Sequence, residues 1–129
     1  MQDRPDFAEL LDSVREFVED EILPTLTDHR TRFRTLVSIN ALTILGRELQ
    51  LETGLIHEEA AALQRLLGEE GEVPDDLEAL HARVRELNGE LAARIRAGDV
   101  PAGTLEHLLA VGAGKLEVAS PKYLERYRA

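Results

Sequence analysis

The sequence contains no cysteine and no tryptophan, and its other aromatic residues are three phenylalanines and two tyrosines. Without cysteine the chain has no disulfide framework, no thiolate zinc site and no cysteine nucleophile, which fits a reducing compartment. Long apolar runs are also missing. The densest apolar stretch, residues 36–45, is interrupted by Ser38, Asn40 and Thr43 and has about half the length that crosses a bilayer. We therefore expect no transmembrane helix.

Basic residues are outnumbered, because 25 Asp and Glu against 15 Lys and Arg give a formal net charge of −10. Such a charge repels a phosphate backbone at long range, so nucleic acid is not an expected partner. The opening sequence MQDRPDFAELL enters an amphipathic pattern at once and lacks the continuous apolar segment of a secretory signal. These features predict a cytoplasmic location without a nucleic-acid or membrane partner.

The length of 129 residues is close to the common size of one domain. We therefore predict a single domain over residues 1–129, with a helical bundle over 1–119 and a C-terminal tail over 120–129. Apolar residues recur at spacings of three and four, and no segment shows the sustained alternation of a strand. The expected fold is an all-α bundle of four or five helices.

Five segments carry the helical spacing. Asp3, ahead of Pro5, is the predicted N-cap of the first. The second is apolar on most of its circumference between Leu36 and Leu45, so we expect it to be the central helix of the bundle. The fourth is predicted to continue through Asn88 and Gly89 as one helix. The first segment ends at Pro24. The other four run from Asp28 to before Gly54, from about Ile56 to Gly68, from Leu77 to Ile95 and from Thr104 to Ser120.

The best metal signal is Glu78-Ala79-Leu80-His81, which puts a carboxylate and an imidazole on one helix face. A di-iron bundle needs two such motifs and two further glutamates, and no other histidine has a glutamate three residues before it. His57-Glu58 begins like a zincin helix, but Ala61 stands where the second histidine is required. We therefore expect no catalytic, metal or cofactor site, and no enzyme activity.

Asn40 is the polar residue of most interest, because it lies inside the apolar run of the second segment. We expect its amide to be buried and to need hydrogen-bond partners. Arg47 and Glu48, one to two turns later, are candidates for the same buried polar network. A structural hydrogen bond that fixes helix register is the favoured interpretation, and a ligand contact inside the bundle is the alternative.

Arg30, Arg32 and Arg34 form the one basic cluster of this acidic chain. Solvated charge pairing with the acidic residues 19–21 is the favoured interpretation. The alternative is an anion site at the start of the second segment, where the helix dipole would add to three guanidinium groups and attract a phosphate or an acidic partner.

Tyr123 and Tyr127 lie among basic residues in the C-terminal tail, and Tyr and Arg are enriched at the anchors of protein interfaces. Two interpretations are equally supported. The tail packs back on its own bundle, or it contacts a partner.

Three stretches carry a resemblance: RPDFAELLDSVREFVEDEILP, RFRTLVSINALTILGREL and KLEVASPKYL. They resemble a bacterial family of small helical proteins of unknown function, whose members are encoded beside aminoglycoside-phosphotransferase-like kinases and acyl-CoA dehydrogenases. The resemblance implies that this protein is encoded near such enzymes, and it identifies no catalytic residue in this sequence.

The expected function is that of a non-enzymatic helical accessory protein. It self-associates or assists a phosphotransferase-like kinase or an acyl-CoA dehydrogenase, because the chain has no catalytic constellation and more apolar faces than one small bundle needs. A module that binds a small ligand or anion, such as acyl-CoA or phosphate, is the alternative.

Overall fold

The computed structural model describes residues 4–128, and these residues contain five α-helices and no strand. The predicted all-α class and helix number are therefore confirmed. Between the first two helices the chain continues through a π-helical turn, Val18–Ile22, and a 3-10 turn, Leu23–Thr25. The helices are α1 (Phe7–Phe17), α2 (His29–Leu67), α3 (Leu77–Arg96), α4 (Thr104–Ala119) and α5 (Pro121–Arg128).

The start of α1 is fixed by Asp6. Its carboxylate accepts a hydrogen bond from the backbone N–H of Glu9, and the Glu9 side chain accepts one from the backbone N–H of Asp6. This reciprocal capping box satisfies two N–H groups that the helix itself leaves free. The predicted cap Asp3 lies outside the described residues. The helix α1 ends at Phe17 and not at the predicted Pro24, because the chain continues through a π-helical turn, and Pro24 lies in the 3-10 turn after it.

The predicted break before Gly54 is wrong, because α2 is one helix of 39 residues. It joins the second and third predicted segments. Glycine inside a helix costs about 1 kcal/mol relative to alanine, which a long helix with a packed C-terminal part tolerates. Ile56, Ala60 and Leu63 bury their side chains in a core just beyond Gly54, and that burial outweighs the cost of one glycine.

The helices α3 and α4 follow the predicted pattern, whereas the last helix lies in the predicted tail. The helix α3 passes through Asn88 and Gly89 without interruption, as predicted. The helix α4 begins after Gly103, whose φ of 91° lies in the left-handed region that glycine tolerates. The predicted tail forms the helix α5, and its residue Leu124 is buried.

The chain divides into two compact units, Met1–Leu51 and Glu52–Ala129, and α2 contributes to both. The prediction of a single domain stays a prediction. The second unit contains a continuous core between the C-terminal part of α2 and α3. Its buried members are Ile56, Ala60, Leu63, Leu80, Val84, Leu87 and Leu91.

The first unit has little buried surface. Among residues 4–51, Ile39 is the one large apolar residue that is buried. The burial expected for the stretch 36–45 is wrong, since Leu36, Val37 and Leu45 are each about half exposed. Within this unit α1 covers one side of α2, as the contact of Leu11 with the Gly46 position shows, and an all-round apolar helix needs neighbours on every side. No helix within residues 4–128 has the length and apolarity to cross a bilayer.

Candidate functional site

An open groove of about 570 Å³ lies beside the first turns of α2. Asp28 caps this helix, and its carboxylate accepts hydrogen bonds from the Thr31 backbone N–H at 2.9 Å and the Thr31 hydroxyl at 2.7 Å. The groove therefore has a fixed negative charge at one edge. Its lining residues are Asp28, Arg30, Thr31, Arg34, Thr35 and Ser38.

The predicted basic cluster is divided. Arg30 and Arg34 line the groove, whereas Arg32 donates to the backbone carbonyl of Leu23 at 3.1 Å and thereby ties α2 to the preceding 3-10 turn. The hydroxyls of Thr35 and Ser38 donate to carbonyls of their own helix. The groove thus offers two guanidinium groups to an anion, and the Asp28 carboxylate opposes them.

Asp28 provides a pH-dependent contribution to stability. The hydrogen bonds from the Thr31 hydroxyl and backbone lower the pKa of Asp28 below its ordinary value of 3.8. A lowered folded-state pKa stabilises the fold above the unfolded value, and this stabilisation is lost as the pH falls through the folded value. We expect wild type to lose stability relative to Asp28→Asn on acidification below pH ~4, measured by urea unfolding. Parallel pH profiles of the two proteins would contradict this role.

The predicted polar residues of α2 are not buried. Asn40 and Glu48 are exposed and Arg47 is half-buried, so the expectation of a buried amide is wrong. The buried residue of that turn is the preceding Ile39. Each residue turns the helix by about 100°, so Ile39 and Asn40 point in clearly different directions.

Asn40 instead lies within an apolar surface, which we call the α2 stripe. Four of its members are separated by four, three and four residues and therefore share one face of the helix, and the fifth, Leu36, flanks them. The periodicity of this segment predicts an internal helix face, and the exposure of these residues shows that this expectation is wrong. Phe33 is the most exposed of its apolar members at 67%, and Ile44 is half-buried. The α2 stripe consists of Phe33, Leu36, Val37, Asn40 and Ile44.

The helix α5 packs on its own unit and also exposes aromatic rings. Leu124 is buried and attaches the helix to its unit, where α5 contacts α4. Tyr123 and Tyr127 remain exposed, and their rings stack with centroids 6.0 Å apart. The tail therefore packs on its own unit through Leu124 and presents a pair of aromatic rings to solvent.

The histidines do not assemble a metal site. His81 Nε2 lies 2.8 Å from the Glu52 carboxylate, which joins α3 to α2. His107 is buried in α4, and its Nε2 atom has no hydrogen-bond partner. Among residues 4–128, no group of three or more metal-binding side chains is arranged around a common point.

The chain matches the family model described as Domain of unknown function (DUF6285) over residues 24–123. The match begins in the 3-10 turn before α2 and includes the whole of α2, α3 and α4. It therefore spans the groove and the α2 stripe. No curated protein and no solved structure is significantly similar to the chain.

Proposed function

The chain belongs to the DUF6285 family, a domain family of unknown function, and from this premise we propose that it is a non-catalytic interaction protein. It works by presenting exposed apolar helix faces to protein partners in the bacterial cytoplasm. A phosphotransferase-like kinase and an acyl-CoA dehydrogenase are the candidate partners, on the resemblance of the sequence to proteins encoded beside such enzymes. The protein is an accessory that assists the partner's activity.

The observation that supports this function is the exposure of large apolar side chains at helical spacing. Contiguous exposed apolar surface on a protein marks a binding site. The faces are found on three helices, and both units contribute. Their members are Phe7, Leu10, Val14 and Phe17 on α1, Phe33, Leu36 and Val37 on α2, and Leu105, Leu108 and Leu109 on α4.

We assign the apolar face of α4 to the binding of a different protein. Leu105 and Leu109 are among the most exposed leucines of the chain, and they lie one turn apart with Leu108 between them. An apolar face of this spacing suits an amphipathic helix or a groove of a partner. Tyr123 and Tyr127 add exposed aromatic surface to the same unit.

This function is tested with the purified chain and each purified candidate enzyme. We expect light scattering to show a complex with one of them, and the double substitution Leu105→Ser, Leu109→Ser to weaken it by about tenfold or more, because burial of two leucines is lost. Glu106→Ser, on the same turn of α4, is the matched control and should bind as wild type does. A chain that remains a monomer alone and binds neither enzyme would refute the function.

Anion binding is the second candidate, and the pairing of Arg30 with Arg34 in one groove favours it. Its ligand would be a phosphate group, either free or as part of acyl-CoA. Binding raises the unfolding midpoint, so a shift caused by phosphate or by acyl-CoA, and lost in Arg30→Ala with Arg34→Ala, would support this candidate. The Asp28 carboxylate at the edge of the groove repels an anion, and we therefore rank this function second.

A further inference from the structure

We propose that the α2 stripe is the binding site for a second copy of this chain. The two α2 helices lie antiparallel, and Asn40 of each copy faces Asn40 of the other. The inference rests on the proposed function and assigns one of its apolar faces to self-association. Four features of α2 lead to it, namely the spacing of the stripe, the chemistry of Asn40, the flanking charges and the length of the face.

The spacing is that of a helix-pairing seam. Phe33, Val37, Asn40 and Ile44 are separated by four, three and four residues, and Leu36 flanks them. Apolar residues that alternate in this way occupy the a and d positions of helices that pack side by side. The stripe is exposed within the described chain apart from the half-buried Ile44, so the pairing surface has no other occupant along most of its length.

Asn40 indicates that the occupant is identical to this chain. An amide group both donates and accepts hydrogen bonds, so two asparagines satisfy each other. In a two-fold interface a residue on the axis meets its own copy. A single asparagine in an apolar seam fixes register and the number of helices that associate. An unrelated apolar partner would instead leave this amide unpaired and desolvated.

The charges beside the stripe favour the antiparallel direction. Arg34 lies six residues before Asn40 and Glu48 lies eight residues after it, and both are exposed. Antiparallel helices centred on Asn40 bring Arg34 of one copy beside Glu48 of the other, twice in each dimer. Parallel helices would place Arg34 of one copy and Glu48 of the other on opposite sides of the seam, where the two charges could not pair.

The length of the stripe sets the strength of the dimer. The twelve residues from Phe33 to Ile44 cover about 17 Å of helix, or roughly three turns. Stable interfaces bury about 800 Å² on each partner, and three turns of one helix supply less than this area. We therefore expect a dimer that forms at high protein concentration and dissociates on dilution.

Sedimentation equilibrium over a wide range of protein concentration measures this association. The mass should rise from the monomer value of 14.4 kDa toward twice that value. Val37→Asp should abolish the rise, because it places a charge within the seam. Leu45→Asp is the matched control, since Leu45 is similarly exposed (47% against 52% for Val37) on another face of the same helix. It should dimerise as wild type does.

The absence of cysteine allows the register and direction to be read by crosslinking. We expect Asn40→Cys to oxidise to a disulfide-linked dimer and Leu45→Cys to stay monomeric, because a disulfide forms only where the two β-carbons approach to about 4 Å. Phe33→Cys should not crosslink to itself, because in antiparallel helices centred on Asn40 the two Phe33 positions lie about 21 Å apart along the helices. A disulfide-linked dimer of Phe33→Cys would overturn the antiparallel direction.

The inference and the proposed function fail in different ways. A monomer at every concentration, or equal dimerisation of Val37→Asp and wild type, would overturn the inference, and the proposed function would stand if the chain still bound a candidate enzyme through α4. Circular dichroism and unfolding of both aspartate variants establish that the loss of dimer is not a loss of fold. A chain that neither dimerises nor binds either enzyme would overturn both.

Discussion

Replacing Leu63 with alanine is expected to lower the free energy of unfolding by about 2–5 kcal/mol. Leu63 has no exposed surface and belongs to the core that α2 and α3 build, together with Ala60, Leu80 and Leu87. The substitution removes the burial of the side chain and leaves a cavity among residues held by two helices. Urea unfolding followed by circular dichroism measures the loss.

The matched control is Leu45→Ala, on the same helix but in the first unit. Leu45 is about half exposed, so its truncation is expected to cost less than about 1 kcal/mol. The two substitutions remove the same atoms and differ only in what surrounds them. The sequence alone predicts a large loss at Leu45 as well, because it places Leu45 in the most apolar stretch of the chain. Similar losses at both positions would show that the first unit is as well packed as the second.

The difference between these two leucines shows what the sequence could predict. The α3 residues Leu80, Val84, Leu87 and Leu91 follow the helical spacing of three and four, and they are buried in the core. The α2 stripe has the same spacing and is exposed. Periodicity indicates which residues share a helix face, but it carries no information on whether another helix of the same chain covers that face. The burial that the sequence predicts for Asn40 is wrong for this reason.

The sequence also does not predict the hydrogen bonds that connect a helix to a loop. Gln64 is buried in α2 and donates through Nε2 to the Gly71 carbonyl at 3.1 Å, while its Oε1 atom accepts a hydrogen bond from Arg83 of α3. This side chain links two helices with the loop that joins them. A glutamine within a leucine-rich helical segment has no spacing signal that distinguishes it from a solvated residue, because its partners are seven and nineteen positions away.

Substituting Gly54 with proline tests the continuity of α2, which the sequence did not predict. Proline in a helix interior removes the backbone N–H that would bond to the carbonyl four residues earlier, and its ring clashes with that carbonyl. We expect a loss of about 3 kcal/mol or more, together with a decrease in helical circular dichroism. A helix that ended before Gly54 would instead tolerate proline, since proline commonly follows a helix end.

The companion substitution Gly54→Ala should act in the opposite direction. A β-carbon at Gly54 meets no atom within 4 Å, and the residue lies inside α2 without a positive φ. Alanine therefore gains about 0.5–1 kcal/mol in helix stability. Opposite shifts of the unfolding midpoint for the two variants are expected only from a continuous helix, because a loop at Gly54 would respond little to either change. Equal, small effects of the two substitutions would instead support the predicted break before Gly54, with two helices in place of α2.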